Sequence, residues 1–220
     1  MQTKDFVQFL ETNNVVVFTL EDAVKILDSG NNYASLFLHR CIEKGLIGRI
    51  KRGIYYLKKR VNEYEIASNI LTPSYVSMVS ALAYYGLTTQ IPRFVYVIST
   101  KRHRPIRGIN GFDIIFKHVK NSMMFGYHKE SNGNIFIADP EKALVDIYYF
   151  NDVNDLDEDA FKRPSRLNIE KLVKYAEASK SKHVMRSVAG LLYAHKYSAE
   201  SNRLANLLES IIRCKNAKQR

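Results

Sequence analysis

The sequence predicts an α+β protein in which an N-terminal winged helix-turn-helix is followed by a small mixed α/β region with C-terminal helices. Three short amphipathic helices precede a basic two-stranded hairpin near the N-terminus, and from residue 61 strands and helices follow in a different order. We therefore expect a first domain over residues 1–60 and a second over 61–220. The second comprises a sheet part at about 61–150, an acidic loop at 151–164 and a helical part at 165–220.

The composition favours an anionic partner. Lys and Arg number 33 against 22 Asp and Glu, which gives the 220 residues a formal net charge of +11. Such an excess favours nucleic acid, with an acidic membrane surface or a plain solubility bias as alternatives. Cys41 and Cys214 are too far apart to suggest a metal site or a disulfide framework, so we expect a reducing, cytoplasmic environment. No apolar run approaches transmembrane length, which predicts a soluble protein without membrane contact.

The three N-terminal helices are predicted by apolar spacing and by capping residues. Thr19 with Asp22 three positions later is a capping box that opens the second helix. The turn at residues 28–32 ends in Asn32, which we expect to cap the third helix, and Gly45 ends that helix.

The outer face of the third helix carries side chains that suit contact with bases. Asn can bond adenine bidentately and Arg can do the same with guanine. The alternative is that Asn31 and Asn32 only form the turn and the cap. Leu36 lies on the same face, and the predicted DNA contacts there are Asn31, Asn32, Tyr33, Ser35, His39 and Arg40.

The hairpin after this helix is strongly basic. No acidic residue occurs in residues 46–60, and Arg49 and Lys51 alternate with Ile50, as a half-buried strand requires. A basic hairpin at the end of a helix-turn-helix indicates phosphate contact, and each neutralised phosphate steepens the log–log salt dependence of binding by about 0.9. The predicted DNA contacts of the hairpin are Arg49, Lys51, Arg52, Lys58 and Lys59.

From residue 61 the pattern predicts a small antiparallel sheet with helices against it. Ser77 is expected to cap a helix, and Asn132-Gly133 to join two strands as a hairpin turn. Asp139-Pro140 has the residues of an N-cap and a first helical position. Two C-terminal helices are expected at 169–178 and 184–213.

A second basic segment lies between two predicted strands at residues 101–108. It can extend the DNA contact, bind RNA or an acidic protein, or be merely solvated, and these interpretations stay open. Its cations are Lys101, Arg102, Arg104 and Arg107.

Catalytic signals are weak. The glycines form no phosphate-binding loop, and the histidines have no metal-ligand spacing. Asp139 with Glu141-Lys142 is similar to the acidic–basic grouping of metal-dependent nucleases, and Asp113 is the one candidate for a second carboxylate. We expect no catalytic residue, no metal and no cofactor. A metal-dependent nuclease or RNA-processing accessory enzyme using Asp113 and Glu141 remains the alternative, with a protein-interaction module lacking DNA specificity as a third.

Five blocks occur in one order along the chain: KGLIGRIKRGIYYL, PSYVSMVSALAYYGL, VYVISTKRHR, MFGYH and IADPEKALVDIYYF. Together they resemble the AbiEi-type antitoxins, the transcriptional-regulator partners of nucleotidyltransferase toxins in type IV toxin–antitoxin operons. The resemblance implies a winged helix that binds double-stranded operator DNA and represses its own operon. It also implies a following domain with antitoxin activity against the cognate toxin. The residues that match the family's wing are Arg49, Lys51, Arg52, Gly53 and Tyr55.

The resemblance and the pattern both leave the assembly state open. A single winged helix can bind DNA as a monomer or as a homodimer.

Overall fold

A computed structural model describes residues 1–58, 62–89, 92–109, 111–130, 134–153 and 167–217, with side chains as far as residue 211. The fold is mixed α/β, which confirms the predicted class at that level. Lys59, the Asn132-Gly133 turn and most of the predicted acidic loop lie outside the described residues.

The N-terminal elements are three helices and a three-stranded antiparallel sheet in which β3 is central. Their apolar side chains form one buried cluster, in which the ring of Phe6 packs edge to face against Phe18 and Phe37. The elements are α1 (Thr3–Thr12), β1 (Val17–Thr19), α2 (Leu20–Leu27), α3 (Asn31–Glu43), β2 (Ile47–Lys51) and β3 (Ile54–Leu57).

Local signals in this part are largely confirmed, with one correction. Thr19 and Asp22 form the predicted capping box, and Gly45, with φ +67°, follows the end of α3. Asn32 is not the cap of α3, because Gly30 occupies the N-cap position and its carbonyl accepts the first helical hydrogen bond. Asn31 and Asn32 therefore lie inside the first turn of the helix, where both are exposed.

The next elements build a six-stranded sheet with the order β6-β7-β5-β4-β9-β8. The predicted antiparallel sheet is wrong, because β5 pairs with β7 and β4 with β9 in parallel. After β5 the chain first forms the edge strand β6 and then returns as β7, which lies between β6 and β5. Strands that follow one another in the sequence are therefore not all joined as hairpins. The elements are α4 (Glu63–Asn69), β4 (Ser74–Val76), α5 (Met78–Tyr84), β5 (Phe94–Ser99), β6 (Ile106–Ile109), β7 (Phe112–His118), a 3₁₀ turn (Asn121–Met123), β8 (Tyr127–Lys129), β9 (Phe136–Ala138) and α6 (Pro140–Phe150).

The C-terminal part contains α7 (Ile169–Ala178), α8 (Lys182–Ala194) and α9 (Ser198–Ala217). The prediction of one helix at 184–213 is therefore wrong, because this part of the chain forms two helices. The helical run ends after α8, where Lys196 adopts a left-handed φ of +67° and the Tyr197 N–H donates to the Leu192 carbonyl. Apolar periodicity continues on both sides of this turn, so the pattern contained no signal of the break. No helix among the described residues is both long and apolar enough to cross a bilayer.

The N-terminal elements pack on the larger part of the molecule through two buried side chains. Val16 and Tyr56 belong to the same buried cluster as the six-stranded sheet and its helices. Asn134 also donates a side-chain hydrogen bond to the Asn14 carbonyl across this boundary. The hairpin is thus held against the six-stranded sheet through its own strand β3.

Candidate nucleic-acid interface

The two faces of α3 differ sharply in burial. Ala34, Phe37, Leu38 and Cys41 are buried, the last three of them in the N-terminal cluster. The opposite face exposes all six predicted contacts, Asn31, Asn32, Tyr33, Ser35, His39 and Arg40. Leu36 is also 55% exposed on this face, so the helix presents polar and apolar groups together.

The basic hairpin, β2 and β3, directs its cations outward. Tyr55, Tyr56 and Leu57 of β3 are buried, whereas the four described cations Arg49, Lys51, Arg52 and Lys58 are exposed. The tip is an Arg52-Gly53 turn in which Gly53 has φ +78°, a conformation that glycine adopts without strain. The predicted alternation of buried and projecting side chains is thus present.

A shallow groove joins the helix to the hairpin, and we call it the α3–hairpin groove. Apolar groups of Leu36, Ile42 and Tyr55 lie within it, between polar side chains of the helix and Arg49 of β2. It is lined by Asn32, Ser35, Leu36, His39, Ile42, Arg49 and Tyr55. The groove brings together base-reading and phosphate-binding candidates that lie apart in the sequence.

One carboxylate lies beside this groove. Nδ1 of His39 is 3.4 Å from Oε1 of Glu43 one helical turn later, and both side chains are mostly exposed. An exposed pair of this kind is worth little to stability. If His39 were protonated, the Glu43 carboxylate would partly neutralise its charge, so His39 would attract a phosphate less strongly than an unpaired cation.

The second basic segment touches the hairpin. Nζ of Lys51 lies 2.6 Å from Nε2 of His103, and Nδ1 of His103 lies 2.6 Å from the Arg104 carbonyl oxygen. A carbonyl can only accept, so Nδ1–H donates to it and Nε2 of the neutral ring accepts from the Lys51 ammonium. The His103 ring also packs on Phe116 of β7, with centroids 4.6 Å apart. Residues 101–104 therefore lie directly beside the tip of the hairpin.

The cations of this segment are exposed, with one change from the predicted loop. Lys101, Arg102 and Arg104 lie on the connection after β5, but Arg107 lies on the edge strand β6 rather than in a loop. The prediction missed this strand because Gly108 and Pro105 are typical of turns, whereas pairing with β7 determines the outcome.

The two carboxylates of the nuclease alternative are not brought together. Asp113 on β7 accepts a hydrogen bond from the Gly108 N–H at 2.8 Å, and Glu141 on α6 accepts one from the Asn168 N–H at 2.7 Å. β5 and β4 lie between β7 and β9, the strand that leads into α6. Within the described part of the chain, no group of three or more His, Cys, Asp and Glu side chains is arranged to hold a metal ion.

A buried polar network occupies the core beside α6, and sequence patterns did not reveal it. Lys142 forms an ion pair with Asp146, and both side chains have no exposed surface. Asp146 also accepts hydrogen bonds from Ser77 at 2.7 Å and Tyr75 at 3.2 Å. Burial lowers the pKa of Lys142 and raises that of Asp146, while the ion pair opposes both changes. Fully buried charges with this many partners indicate a structural role for the ADPEKALVD block.

Asp139 occupies the predicted N-cap position of α6, ahead of Pro140, and its side chain is a second centre of polar contacts. Its carboxylate makes no capping hydrogen bond and instead contacts Tyr175 at 2.7 Å, Lys171 at 3.0 Å and His128 at 3.0 Å. Burial raises the pKa of Asp139, but the hydrogen bonds and positive charge of these partners outweigh burial and hold it below its usual range. The side chain thus ties the start of α6 to β8 and α7.

Comparison of the chain with protein-family models and with curated proteins gave no match. The functional assignment therefore depends on the geometry above and on the sequence resemblance.

Proposed function

We propose that the protein is a DNA-binding transcriptional repressor that acts as the antitoxin of a toxin–antitoxin operon. In this proposal the N-terminal elements are a winged helix-turn-helix, α3 is the recognition helix and the basic hairpin is the wing. The order of three helices, interleaved strand and terminal hairpin supports this interpretation. The protein would act by binding to double-stranded operator DNA and not by catalysis.

The α3–hairpin groove is the observation that carries the proposal. An α-helix fits the major groove of B-DNA, where Asn32 and Ser35 can bond base edges and Leu36 can contact a thymine methyl group. With the helix in the major groove, the adjacent phosphates of the DNA backbone would face the hairpin. They would contact Arg49 at the side of the groove, and Lys51 and Arg52 beyond it. The exposed side chains on the two elements thus divide between the two kinds of contact that a DNA reader needs.

The antitoxin half of the proposal rests on the resemblance of the sequence blocks. The region after residue 61 would counteract a nucleotidyltransferase toxin encoded in the same operon. Lys142 and Asp146 of the last block are buried, so they support the domain's stability and not a direct toxin contact. Growth rescue tests this half: the chain, co-expressed with the nucleotidyltransferase gene adjacent to its own, should restore growth that the gene alone stops.

DNA binding is tested by fluorescence anisotropy with a duplex from upstream of the protein's own gene. The triple variant Arg49→Ala, Lys51→Ala, Arg52→Ala should bind much more weakly, and its log–log salt slope should fall by about 2.7, or 0.9 for each lost phosphate contact. A charge-matched control is Lys129→Ala, Lys174→Ala, Arg186→Ala, whose exposed cations lie outside the N-terminal elements. Equal affinity and slope for the hairpin and control variants would reject the wing assignment.

A further inference from the structure

We infer that residues 101–107 form a second DNA-backbone contact continuous with the basic hairpin, so that the region after residue 61 takes part directly in duplex binding. The inference rests on the proposed function, because it places a duplex in the α3–hairpin groove. It assigns to this segment one of the partners that its sequence left open.

Contact between the two basic segments is the first step of the argument. The Lys51 ammonium donates to neutral His103, whose other ring nitrogen donates to the Arg104 carbonyl. His103 is further fixed by packing on Phe116. This chain of contacts positions the backbone of Arg104 next to the wing tip, and Lys51 keeps further N–H donors for a phosphate.

The second step is the distribution of charge. Among the residues that the structure describes, Lys101, Arg102, Arg104 and Arg107 form no ion pair with a carboxylate, and neither do Lys51 and Arg52. Some cations elsewhere do pair, as in Lys117–Asp152, Lys174–Glu170 and Arg203–Glu177. The surface near the hairpin therefore concentrates positive charge that the described carboxylates do not neutralise, which is typical of a site for an external polyanion.

The end of the sheet extends this surface. β5 and β7 run in parallel and finish side by side, with the Val119 N–H donating to the Ser99 carbonyl at 3.0 Å. The exposed side chains of His118 and Lys120 thus lie at the same end of the sheet as Lys101. The basic surface therefore spans several residues at the ends of the two adjacent strands β5 and β7.

Duplex DNA fits this surface better than RNA. A wing that contacts phosphates leaves the next phosphates of the same strand within reach of an adjacent basic segment, since charges recur about every 3.4 Å of rise along a strand. Arginine binds phosphate bidentately, and Arg102 and Arg104 are both exposed. The deep, narrow major groove of A-form RNA cannot admit α3, so continuity with the α3–hairpin groove favours B-DNA.

The test uses the full chain and the triple variant Lys101→Ala, Arg102→Ala, Arg104→Ala. Binding to the upstream duplex and to a scrambled duplex is measured across a salt series, with the Lys129, Lys174, Arg186 variant as control. We expect the loop variant to lose affinity equally on both duplexes, with a salt slope lower by about 2.7 and an unchanged specificity ratio. Circular dichroism and thermal unfolding check its folding, and Arg102→Glu alone provides a second variant that should lower affinity and slope in the same direction.

The outcomes separate this inference from the proposed function. If the wild-type chain binds no duplex, the proposed function fails. If wild type binds and the loop and control variants have equal slopes, residues 101–107 do not contact DNA and only the inference is overturned. Normal DNA binding by the loop variant, combined with loss of an acidic protein that co-purifies with wild type, would instead assign the segment to protein docking and also overturn it.

Discussion

The Ser77 hydroxyl donates a 2.7 Å hydrogen bond to the buried carboxylate of Asp146, although Ser77 occupies the N-cap position of α5. The predicted cap of α5 is therefore not made by this side chain. Asp146 also accepts a hydrogen bond from Tyr75 of β4 and forms an ion pair with Lys142 of its own helix. One carboxylate thus connects α6 to β4 and to the start of α5.

The first prediction concerns the loss of this carboxylate's charge. Asp146→Asn leaves the Lys142 ammonium buried without a counter-charge, and breaking a buried ion pair from one side costs about 3–5 kcal/mol. We expect the free energy of unfolding, measured by urea denaturation, to fall by that amount. Replacing both members, as Lys142→Met with Asp146→Leu, should cost less than the sum of the single changes because no charge is left unpaired.

Glu170→Gln is the matched control for this prediction. It removes the carboxylate charge of Lys174–Glu170, which is also an i,i+4 pair but has side chains 62% and 71% exposed. An exposed helical pair contributes little to stability, so the loss for Glu170→Gln should be much smaller than that for Asp146→Asn. Similar losses for Asp146→Asn and Glu170→Gln would contradict the structural role of the buried network.

The second prediction concerns the space above Gly48. A Cβ at this position would overlap ring atoms of Tyr56, its cross-strand partner, which is itself buried. Gly48→Ala must displace that ring, and overpacking of this kind costs about 1–3 kcal/mol. Thermal and urea unfolding should both show the loss.

Gly190→Ala should change the free energy of unfolding in the opposite direction, measured by the same thermal and urea unfolding. A Cβ at Gly190, inside α8, would meet no atom within 4 Å, and alanine is the better helix former. The variant should therefore be more stable by about 0.5–1 kcal/mol. A gain in stability for both substitutions would show that the Tyr56 ring does not obstruct a side chain at Gly48.

Features that depend on a few neighbouring residues could be predicted from the sequence. The Thr19–Asp22 capping box joins positions three apart, and the hairpin turn at Arg52-Gly53 requires only the conformational freedom of glycine. The exposed face of α3 follows from helical periodicity, since its buried face was visible as an apolar stripe. These predictions locate most of the α3–hairpin groove.

Features that depend on distant partners could not be predicted in the same way. Lys51 and His103 are 52 positions apart, and Tyr75 and Asp146 are 71 apart. Their contacts follow from the strand order, in which β5 and β7 are parallel, whereas local patterns suggested hairpins. Helical periodicity is likewise similar on both sides of Lys196, so it could not indicate the turn between α8 and α9.

The third prediction is an acid dependence that arises from Asp139. Its pKa in the folded protein is lower than the unfolded value of about 3.9, so ionised Asp139 stabilises the fold above that value. This stabilisation is lost as the pH falls through the folded pKa. Asp139→Asn should therefore be less stable than wild type near neutral pH, and the difference should shrink below about pH 4. Urea unfolding as a function of pH measures it, and a difference that stays constant down to the acid limb would contradict the assignment.

The last prediction separates base contacts from phosphate contacts within the α3–hairpin groove. Asn32 and Leu36 line the groove without positive charge, so Asn32→Ala and Leu36→Ala should weaken binding to the upstream duplex but not to a scrambled one. A good bidentate base contact is worth about 1–3 kcal/mol of discrimination, which sets the expected change for Asn32. Lys51→Ala should instead weaken both complexes and lower the salt slope by about 0.9, because a phosphate contact is independent of sequence. If the Asn32 and Leu36 variants lose affinity equally on both duplexes, α3 does not read bases and binding to DNA is carried by charge alone.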